Sequence, residues 1–303
     1  MKLPEGFRTR VRNVWGSGGD KWLEAFPDIL SGCMKRWKLI SITMHPELSY
    51  NFIAHGESET LGKVVLKIGV PVNEMEDEIS ALKLLNGDHT VRLLDSDSIK
   101  GALLLEEITP AKPLHALDDN VQESLIAARL IDNIPIPAQR RSTLPTVEKW
   151  SDVFDRIISG YESRSRGLPV KTVEKAKGMA RGLAETSNGK WLLHGDLHHG
   201  NILFDKKRGW LAIDPKGVIG DRAYECARFL HNPMPDFLSC EDPITKTEER
   251  VDVFSEYLNE DRNRILGWAF VDCIIGACWD IEESIDNVDY YVQVARLLEG
   301  LIQ

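Results

Sequence analysis

The run His194–Asn201, HGDLHHGN, is followed thirteen residues later by Asp214, and this spacing constrains the chain more than any other feature. Asp196 stands five residues before Asn201. An aspartate, an amide and a second carboxylate in this order are typical of Mg²⁺-dependent phosphoryl transfer from a nucleotide. We therefore predict that Asp196 accepts the proton of an acceptor hydroxyl or orients that hydroxyl for attack, and that Asn201 and Asp214 are Mg²⁺ ligands.

The segment between the two predicted metal ligands has the pattern of a β-hairpin. Residues 202–204 and 211–213 are apolar and strand-like, and the polar turn 205–209 joins them. A hairpin returns the chain to the end where it started. Asn201 and Asp214 are therefore expected to converge.

The same order of residues occurs in the catalytic loop of protein kinases, H-R-D-L-x-x-x-N followed by D-F-G. Here Gly195 takes the place of the arginine, and residues 214–217 read DPKG. The loop between the first two predicted strands, HPELSY at 45–50, contains no glycine-rich motif, and no A-P-E-like segment follows Asp214. These departures favour a kinase-like chain that is not a protein kinase.

The stretches LLHGDLHHGNILFD and AIDPKGVIGDRAYE resemble the aminoglycoside phosphotransferases, most closely the streptomycin 6-phosphotransferase and hydroxyurea phosphotransferase branch. Lys67 in VVLKIG, Glu78 in the next helix and GALLLEE at 101–107 follow in the family's order, so the resemblance covers residues 38–232. It implies a two-lobed, protein-kinase-like α+β fold, with an N-terminal antiparallel sheet, one main helix and a mostly helical C-terminal lobe. It also implies ATP as donor and an aminoglycoside hydroxyl as acceptor, with streptomycin as the first guess and antibiotic resistance by inactivation as the outcome.

The length of 303 residues predicts two lobes. We expect a nucleotide-binding lobe at 1–108 and a catalytic and substrate-binding lobe at 109–303. The first lobe should contain three strands within 37–68, a helix capped by Asn73, and strands at 91–95 and 102–108. In the second lobe we predict an irregular, exposed segment at 134–146 and helices near 120–133, 147–163, 171–187, 222–231, 245–258, 261–284 and 287–301. Gly16–Gly19 is interpreted as a linker, with Asp20 capping the helix that follows.

Lys67 lies in an otherwise apolar strand, where a charge is costly unless it is paired. We predict that it binds a nucleotide phosphate and that Glu78 holds it in place, with Glu74 as the less favoured partner because it lies at the helix start. By resemblance, Ser49 is a candidate phosphate contact, although a plain turn serine is equally consistent. The resemblance also implies that backbone groups at Glu106, Glu107 and Ile108 hydrogen-bond the adenine.

The candidate substrate residues rest on weaker patterns. Asp221 precedes a predicted helix and is interpreted first as its N-cap and second as a substrate contact. Asp272, Trp279 and Glu283 lie at i, i+7 and i+11 of one helix and therefore along one stripe. Such a stripe could bind a guanidinium-bearing or amino sugar. A core tryptophan flanked by surface acids is the equally weighted alternative.

The three histidines of the HGDLHHGN run, His194, His198 and His199, could suggest a zinc site. The flanking glycines favour a loop instead, so we predict that a histidine supports the catalytic loop through hydrogen bonds. The five cysteines are scattered and odd in number, which favours free thiols in a reducing compartment.

The formal net charge is −10 and no basic block is present. This argues against partners such as nucleic acid or an anionic membrane surface, and it allows a cationic small-molecule substrate. No signal-like segment is apparent, and the apolar run 265–279 is too short to span a bilayer. A cytoplasmic protein is expected, and the sequence does not indicate its oligomeric state.

Two alternatives stay open at this point. The acceptor could be another small hydroxyl compound such as hydroxyurea or a metabolic sugar or alcohol, because the catalytic residues do not select what carries the hydroxyl. A pseudokinase that only binds nucleotide is less favoured, because Lys67, Asp196, Asn201 and Asp214 are all present.

Overall fold

A computed structural model describes residues 1–160 and 167–303 and divides the chain into two compact units, Met1–Thr109 and Pro110–Gln303. We refer to them as the N-terminal unit and the C-terminal unit. The last residues of the helix predicted at 147–163 lie outside the described residues.

The N-terminal unit is built on a five-stranded antiparallel sheet with strand order β1-β2-β3-β5-β4. Its strands are β1 Leu39–Met44, β2 Phe52–Ser58, β3 Gly62–Ile68, β4 Leu93–Asp97 and β5 Ala102–Glu106. The central strand β3 places Lys67 opposite Ile53 on one side and Leu103 on the other. The three-strand meander and the two later strands agree with the pattern of the sequence.

Helix α2, Asn73–Leu85, buries Met75, Ile79 and Leu82, which recur at helical spacing. The predicted cap is wrong by one residue: Val72 is the N-cap and Asn73 is the first helical residue. The reason is that the backbone carbonyl of Val72 already accepts a 3.0 Å hydrogen bond from Met75 N, which closes the first turn.

Helix α1, Glu5–Arg36, replaces the linker predicted at Gly16–Gly19. Gly16 adopts a non-helical conformation with φ 52° and kinks the helix there. A Cβ on Gly19 would lie 2.5 Å from Val11 O, so the glycine allows close backbone approach at the kink. Asp20 accepts a 3.0 Å hydrogen bond from Arg12 Nε across the kink instead of starting a helix.

Apolar side chains explain why both halves of α1 remain helical. Phe7 and Trp22 meet edge to face with centroids 6.2 Å apart, and Phe26 packs on Phe52 of β2 at 4.9 Å. These rings belong to the core of the N-terminal unit. Burial of a helix face outweighs the poor helix propensity of the glycines.

Most of the C-terminal unit is helical. Its helices are α3 Asn120–Asn133, α4 Val147–Trp150, α5 Val153–Ser159, α6 Val170–Glu185, α7 Ala227–Leu230, α8 Pro243–Leu258, α9 Arg262–Glu283 and α10 Val288–Leu301. The predicted helix at 222–231 is a 3₁₀ turn, Arg222–Cys226, that continues into α7. Helix α9 is the centre of this unit, since every residue from Ile265 to Cys278 is buried.

Two small antiparallel sheets support the loops of the C-terminal unit. The first has the order β10-β9-β6, with β6 Pro110–Pro113, β9 Ile202–Asp205 and β10 Gly209–Ala212. The second has the order β11-β8-β7, with β7 Ile136–Pro137, β8 Trp191–Leu193 and β11 Val218–Gly220. The hairpin predicted from 202–213 is confirmed as β9 and β10.

We predicted that the segment 134–146 is irregular and exposed, and this is only partly correct. It contains β7, and Ile134 and Leu144 within it are buried. The backbone of β7 pairs with β8 although Pro135 precedes this strand and Pro137 lies in it, because β7 is an edge strand of its sheet.

All five cysteines are free thiols, and four of them are buried. Of the helices in the described parts of the chain, none combines the length and the apolar character needed to cross a membrane.

Candidate active site

The loop that carries Asp196 connects β8 to β9 in the C-terminal unit. Gly195, immediately before Asp196, has φ 78°, and a Cβ there would lie 2.8 Å from Val218 Cγ1 and 3.0 Å from Trp150 Cη2. The backbone conformation and the space both require glycine. This explains why position 195 cannot hold the arginine that protein kinases have before their catalytic aspartate.

Asn201 and Asp196 are brought together by a direct hydrogen bond. Asn201 Nδ2 donates to Asp196 O at 3.0 Å and lies 3.4 Å from Asp196 Oδ2. The backbone N–H of Asn201 donates to His198 O at 2.9 Å, which closes the 3₁₀ turn His199–Asn201. Because the amide nitrogen of Asn201 bonds Asp196, the side-chain oxygen of Asn201 is the atom that could bind a metal ion.

Asp214 follows β10 and stands next to Asn201 through the backbone. Ile213 N donates to Asn201 O at 2.9 Å. Asn201 and Asp214 therefore lie at the same end of the hairpin. Asp214 has φ 57°, a left-handed conformation that aspartate tolerates better than most residues. The predicted convergence of Asn201 and Asp214 therefore agrees with the hairpin geometry.

His194 supports the loop as a neutral imidazole. Its Nε2 donates to Ile213 O at 2.9 Å, and its Nδ1 accepts from Asp196 N at 3.2 Å, which defines the tautomer. Burial lowers the pKa of His194 to about 4, so the ring is uncharged at neutral pH. The predicted supporting role is confirmed. The described residues contain no group of three or more His, Cys, Asp or Glu side chains that could hold a metal ion.

Glu225, in the 3₁₀ turn Arg222–Cys226, holds the same loop and was not identified from the sequence. Its Oε2 accepts from His194 N at 2.6 Å and its Oε1 accepts from Gly195 N at 3.0 Å. The side chain is buried, and burial raises the pKa of Glu225 to about 7 although both backbone bonds favour the charged form. A glutamate beside Tyr224 gives no local sign that it faces the loop.

Arg228 on α7 is a second residue that sequence reasoning missed. Its Nε lies 3.4 Å from Asp196 Oδ1, and its Nη2 donates to Asp272 Oδ1 at 3.1 Å. Asp272 is fully buried and also accepts hydrogen bonds from Tyr224 Oη at 2.5 Å and His231 Nε2 at 2.7 Å. The carboxylate of Asp272 is thus surrounded by groups of the protein.

The charge of Asp196 depends on these neighbours. Burial would raise the pKa of the Asp196 carboxyl, but His198, Arg228 and Lys216 offset this effect and hold the pKa at about 2. The side chain retains about a fifth of its exposure, with a relative accessibility of 21%. Asp196 is therefore an ionised carboxylate that a small molecule can reach.

Asp221 is the N-cap that we predicted. Its Oδ1 accepts from Ala223 N at 3.1 Å at the start of the 3₁₀ turn. Its Oδ2 accepts from Trp268 Nε1 at 2.9 Å and also pairs with Arg264. The side chain is buried, and both of its oxygen atoms bond protein groups.

The three residues of the predicted stripe on α9 have different surroundings. Asp272 is buried, Trp279 is partly buried and Glu283 is exposed at the helix end. Trp279 packs edge-on against Trp150 with centroids 5.4 Å apart, and Lys216 Nζ lies 5.9 Å from the Trp279 ring. The interpretation of Asp272 as a surface acid is wrong, because α9 is the buried central helix of its unit.

In the N-terminal unit, Lys67 Nζ donates to Glu78 Oε1 at 2.7 Å, and both side chains are buried. Glu74, one helical turn before Glu78 on the same side of α2, is exposed. The predicted choice of Glu78 as the partner of Lys67 is confirmed. That Lys67 binds a nucleotide phosphate stays a prediction.

The other nucleotide candidates lie at the ends of strands in the same unit. Ser49 is exposed, and its backbone carbonyl accepts a 3.1 Å hydrogen bond from Arg10 Nε of α1. At the end of β5, Glu106 Oε1 accepts from Arg92 N at 3.0 Å, and Glu107 Oε1 lies 3.1 Å from His55 Nδ1. Ile108 is buried. Both glutamate side chains bond protein groups, which is consistent with a backbone role for this segment.

Known proteins resemble the chain over nearly its whole length. A streptomycin 6-kinase from Streptomyces glaucescens is 26% identical over 305 residues, which cover 99% of this chain and 98% of the relative. A hydroxyurea phosphotransferase from Kitasatospora aureofaciens is 27% identical over 296 residues, covering 94% of this chain and 82% of the relative.

Solved structures show the same fold. A choline kinase, LicA, from Streptococcus pneumoniae superposes with a TM-score of 0.65 at 15% identity, covering 92% of this chain and 99% of that one. The aminoglycoside phosphotransferase APH(4)-Ia, solved as a thermostable mutant with ADP and hygromycin B, gives a TM-score of 0.65 at 12% identity, covering 90% and 97%. The expected two-lobed α+β kinase-like fold is confirmed.

The sequence profile of the aminoglycoside/hydroxyurea antibiotic resistance kinases matches residues 57–284, which is well over half of the chain. This match includes the HGDLHHGN loop, the hairpin and Asp214, and it agrees with the resemblance found in those motifs. The chain therefore belongs to the aminoglycoside/hydroxyurea antibiotic resistance kinase family and is a small-molecule phosphotransferase.

Proposed function

We propose that this protein transfers the γ-phosphoryl group of Mg·ATP to a hydroxyl of an aminoglycoside, with streptomycin as the first acceptor to test. The observation that carries the proposal is the catalytic loop. Asn201 bonds the backbone of Asp196 at 3.0 Å, and a backbone bond at 2.9 Å links Asn201 to the residue before Asp214. This arrangement supports a proton acceptor in the loop before β9 and two oxygen ligands at the adjoining end of the β9–β10 hairpin.

Asp196 orients the acceptor hydroxyl and receives its proton. With a pKa of about 2 it is ionised at neutral pH but is a weak base. A loose phosphoryl-transfer transition state requires little proton removal before the new bond forms, so a weak, fixed carboxylate is sufficient. The residual exposure of Asp196 allows a hydroxyl to approach it.

Asn201 and Asp214 are the residues that would hold Mg²⁺. The Asn201 carbonyl oxygen and the Asp214 carboxylate are hard oxygen donors, and Mg²⁺ is commonly bound by one or two such groups together with nucleotide phosphates and water. A site with two protein ligands agrees with the lack of a larger ligand cluster in the described residues. When bound, the ion supplies charge neutralisation for the nucleotide phosphates.

The N-terminal unit would bind the nucleotide. Lys67, fixed by Glu78, supplies a positive charge for a phosphate. The loop that contains Ser49 supplies backbone N–H groups or its hydroxyl, and the backbone at 106–108 supplies the adenine contacts. These assignments follow the family's order of motifs, and the Lys67–Glu78 pair supports them most directly.

An aromatic corner formed by Trp150 and Trp279 is our proposed acceptor contact. The indole of Trp150 touches the catalytic loop at Gly195, and Trp279 packs against it. Both rings are partly exposed, and Glu283 lies one helical turn beyond Trp279. The carboxylates of Asp221 and Asp272 bond protein groups, so we assign these two residues structural roles and not acceptor contacts.

The test is an ADP-release assay with Mg·ATP and a panel of acceptors. The panel contains streptomycin, other aminoglycosides, hydroxyurea, choline and simple sugars, and Asp196→Ala protein is the blank. Streptomycin-dependent ADP release that is absent from the blank is the expected result. Mass spectrometry of the product should show one added phosphoryl group.

Hydroxyurea is the second candidate acceptor, since a hydroxyurea phosphotransferase covers most of this chain at 27% identity. ADP release with hydroxyurea but not with streptomycin would replace the first acceptor by the second. No turnover with any acceptor, in a protein that binds ATP, would overturn the choice of acceptor class. Wild-type turnover by Asp196→Ala would overturn the catalytic assignment.

A further inference from the structure

Arg228 is held between two carboxylates of the C-terminal unit. Its Nη2 donates to Asp272 Oδ1 at 3.1 Å, and its Nε lies 3.4 Å from Asp196 Oδ1. The Nε atom is shielded from solvent and has no hydrogen-bond partner among the described residues. The Nε atom therefore lies beside the Asp196 carboxylate without bonding it, and a small movement that shortens and aligns the contact would form a hydrogen bond.

The Asp272 side of this arrangement is held by several hydrogen bonds. Asp272 is fully buried on α9, and besides Arg228 it accepts hydrogen bonds from Tyr224 Oη at 2.5 Å and His231 Nε2 at 2.7 Å. Buried charges are costly unless their geometry is good and their remaining bonds are satisfied. Three donors on one carboxylate meet this condition and fix the position of the guanidinium.

The two oxygen atoms of Asp196 have different neighbours. Oδ1 faces Arg228 Nε at 3.4 Å, and Oδ2 lies 3.4 Å from Asn201 Nδ2. Both distances exceed those of a tight charged hydrogen bond. Contacts of this kind often shorten when a substrate completes the site.

We propose that Arg228 is a positioning residue for Asp196, and that Asp272 acts on phosphoryl transfer through Arg228. This inference rests on the proposed function, because it takes Asp196 as the catalytic carboxylate. The planar guanidinium spans both carboxylates with fixed geometry, a task for which lysine is poorly suited. In this role Arg228 acts without touching the acceptor or the nucleotide.

The first test compares Arg228→Gln with wild type in the ADP-release assay, using Mg·ATP and streptomycin or the panel acceptor that gives turnover. We expect kcat to fall by about 10²-fold because the reacting carboxylate loses its orientation. The KM values for ATP and for the acceptor should stay unchanged. Arg222→Gln is the matched control, since Arg222 lies on the adjacent 3₁₀ turn and bonds Asp132 at the surface. It should keep wild-type kcat.

The second test is a double-mutant cycle between Arg228 and Asp272. Asp272→Asn should lower kcat in the wild-type background and have no further effect in the Arg228→Gln background, since the two residues act in series. Independent, multiplicative losses would show that Asp272 does not act through Arg228 and would overturn that part of the inference.

Two further variants keep the test valid if Arg228→Gln folds poorly. Arg228→Lys retains a buried charge and should stay folded, yet it should still lose kcat. In Arg228→Ala, added guanidinium ion at a non-denaturing concentration should restore part of kcat, an effect that a purely structural role would not produce. Wild-type kcat in folded Arg228→Lys, or an effect on acceptor KM alone, would overturn the positioning role.

Asp196→Asn, assayed beside these variants, separates this inference from the proposed function. An active Asp196→Asn protein would remove the catalytic assignment itself. An inactive Asp196→Asn protein together with fully active Arg228→Gln would leave the proposed function in place and remove only the role of Arg228.

Discussion

Lys67 Nζ and Glu78 Oε1 are 2.7 Å apart in the N-terminal unit, and each side chain keeps less than a tenth of its exposure. The pair joins the central strand β3 to helix α2. A lysine in an apolar strand is thereby explained by a carboxylate that a helix presents to it. Glu74 lies one turn earlier on the same side of α2 and is exposed, so the position along the helix, not the helix face, distinguishes the two glutamates.

Replacing Glu78 by glutamine should destabilise the protein and weaken nucleotide binding. Removing the negative charge that faces a buried ammonium group typically costs about 3–5 kcal/mol. Urea unfolding should report this loss, and the KM for ATP should rise. The control is Asp152→Asn in the exposed Lys149–Asp152 pair, where a change within about 1 kcal/mol is expected. Equal stability changes in the two variants would contradict this prediction.

Asp196→Asn should abolish most of the phosphoryl transfer while the protein still binds ATP. Loss of a proton acceptor typically lowers the rate by about 10²–10⁴-fold. The hydrogen bond from the Asn201 side-chain amide to the backbone oxygen of Asp196 does not involve the substituted carboxylate, so the loop should stay folded. Nucleotide titration by calorimetry and ADP release together test this. Loss of ATP binding in this variant would speak against a purely catalytic role.

Removal of divalent metal should stop turnover. EDTA is expected to abolish ADP release, and added Mg²⁺ should restore it. Asp214→Asn should raise the Mg²⁺ concentration needed for nucleotide binding by at least roughly tenfold, since even indirect metal partners have effects of this size. Calorimetric titration of ATP at several Mg²⁺ concentrations measures this without catalysis. An unchanged Mg²⁺ requirement would exclude Asp214 as a ligand.

Glu225 should make the stability of the protein depend on pH. Burial raises its pKa from 4.5 to about 7, so in this interval the folded protein holds a proton that the unfolded chain has released. The stabilisation by protonated Glu225 is therefore complete below about pH 4.5 and declines as the pH rises towards 7.

Glu225→Gln, a neutral side chain of the same shape, tests this directly. Relative to wild type, the variant should gain stability as the pH rises from about 5 to about 8, by up to about 3 kcal/mol at about 1.36 kcal/mol per pKa unit. Urea unfolding at both pH values gives the difference, and His194, present in both proteins, contributes equally to each. A relative stability that moves in the opposite direction would mean that the charged form of Glu225 is the favoured one.

Errors in the predicted elements have a common physical origin. Gly16–Gly19 reads as a linker by local propensity, yet α1 continues through it because Phe7, Trp22 and Phe26 are buried. Likewise, the spacing of Asp272 and Glu283 on α9 is correct, but spacing alone does not show that one is buried and the other exposed. Tertiary packing overrides propensity in the first case and determines burial in the second.

The sequence by itself determined the catalytic loop, its hairpin and the Lys67–Glu78 pair. Asp196, Asn201 and Asp214 lie within nineteen residues of one another, and turn chemistry and strand alternation over so short a distance specify how they meet. Lys67 and Glu78 are also close in the chain, eleven positions apart, and the place of Glu74 at the helix start favours Glu78 as the partner.

Only the tertiary structure decided how the catalytic loop is supported. Glu225 bonds residues 30 and 31 positions earlier, and Asp272 reaches Arg228 over 44 positions. Contacts at such separations depend on how the 3₁₀ turn and α7 pack against the loop and α9, and no local pattern records this packing. The residues that hold Asp196 in place are therefore visible only once the chain is folded.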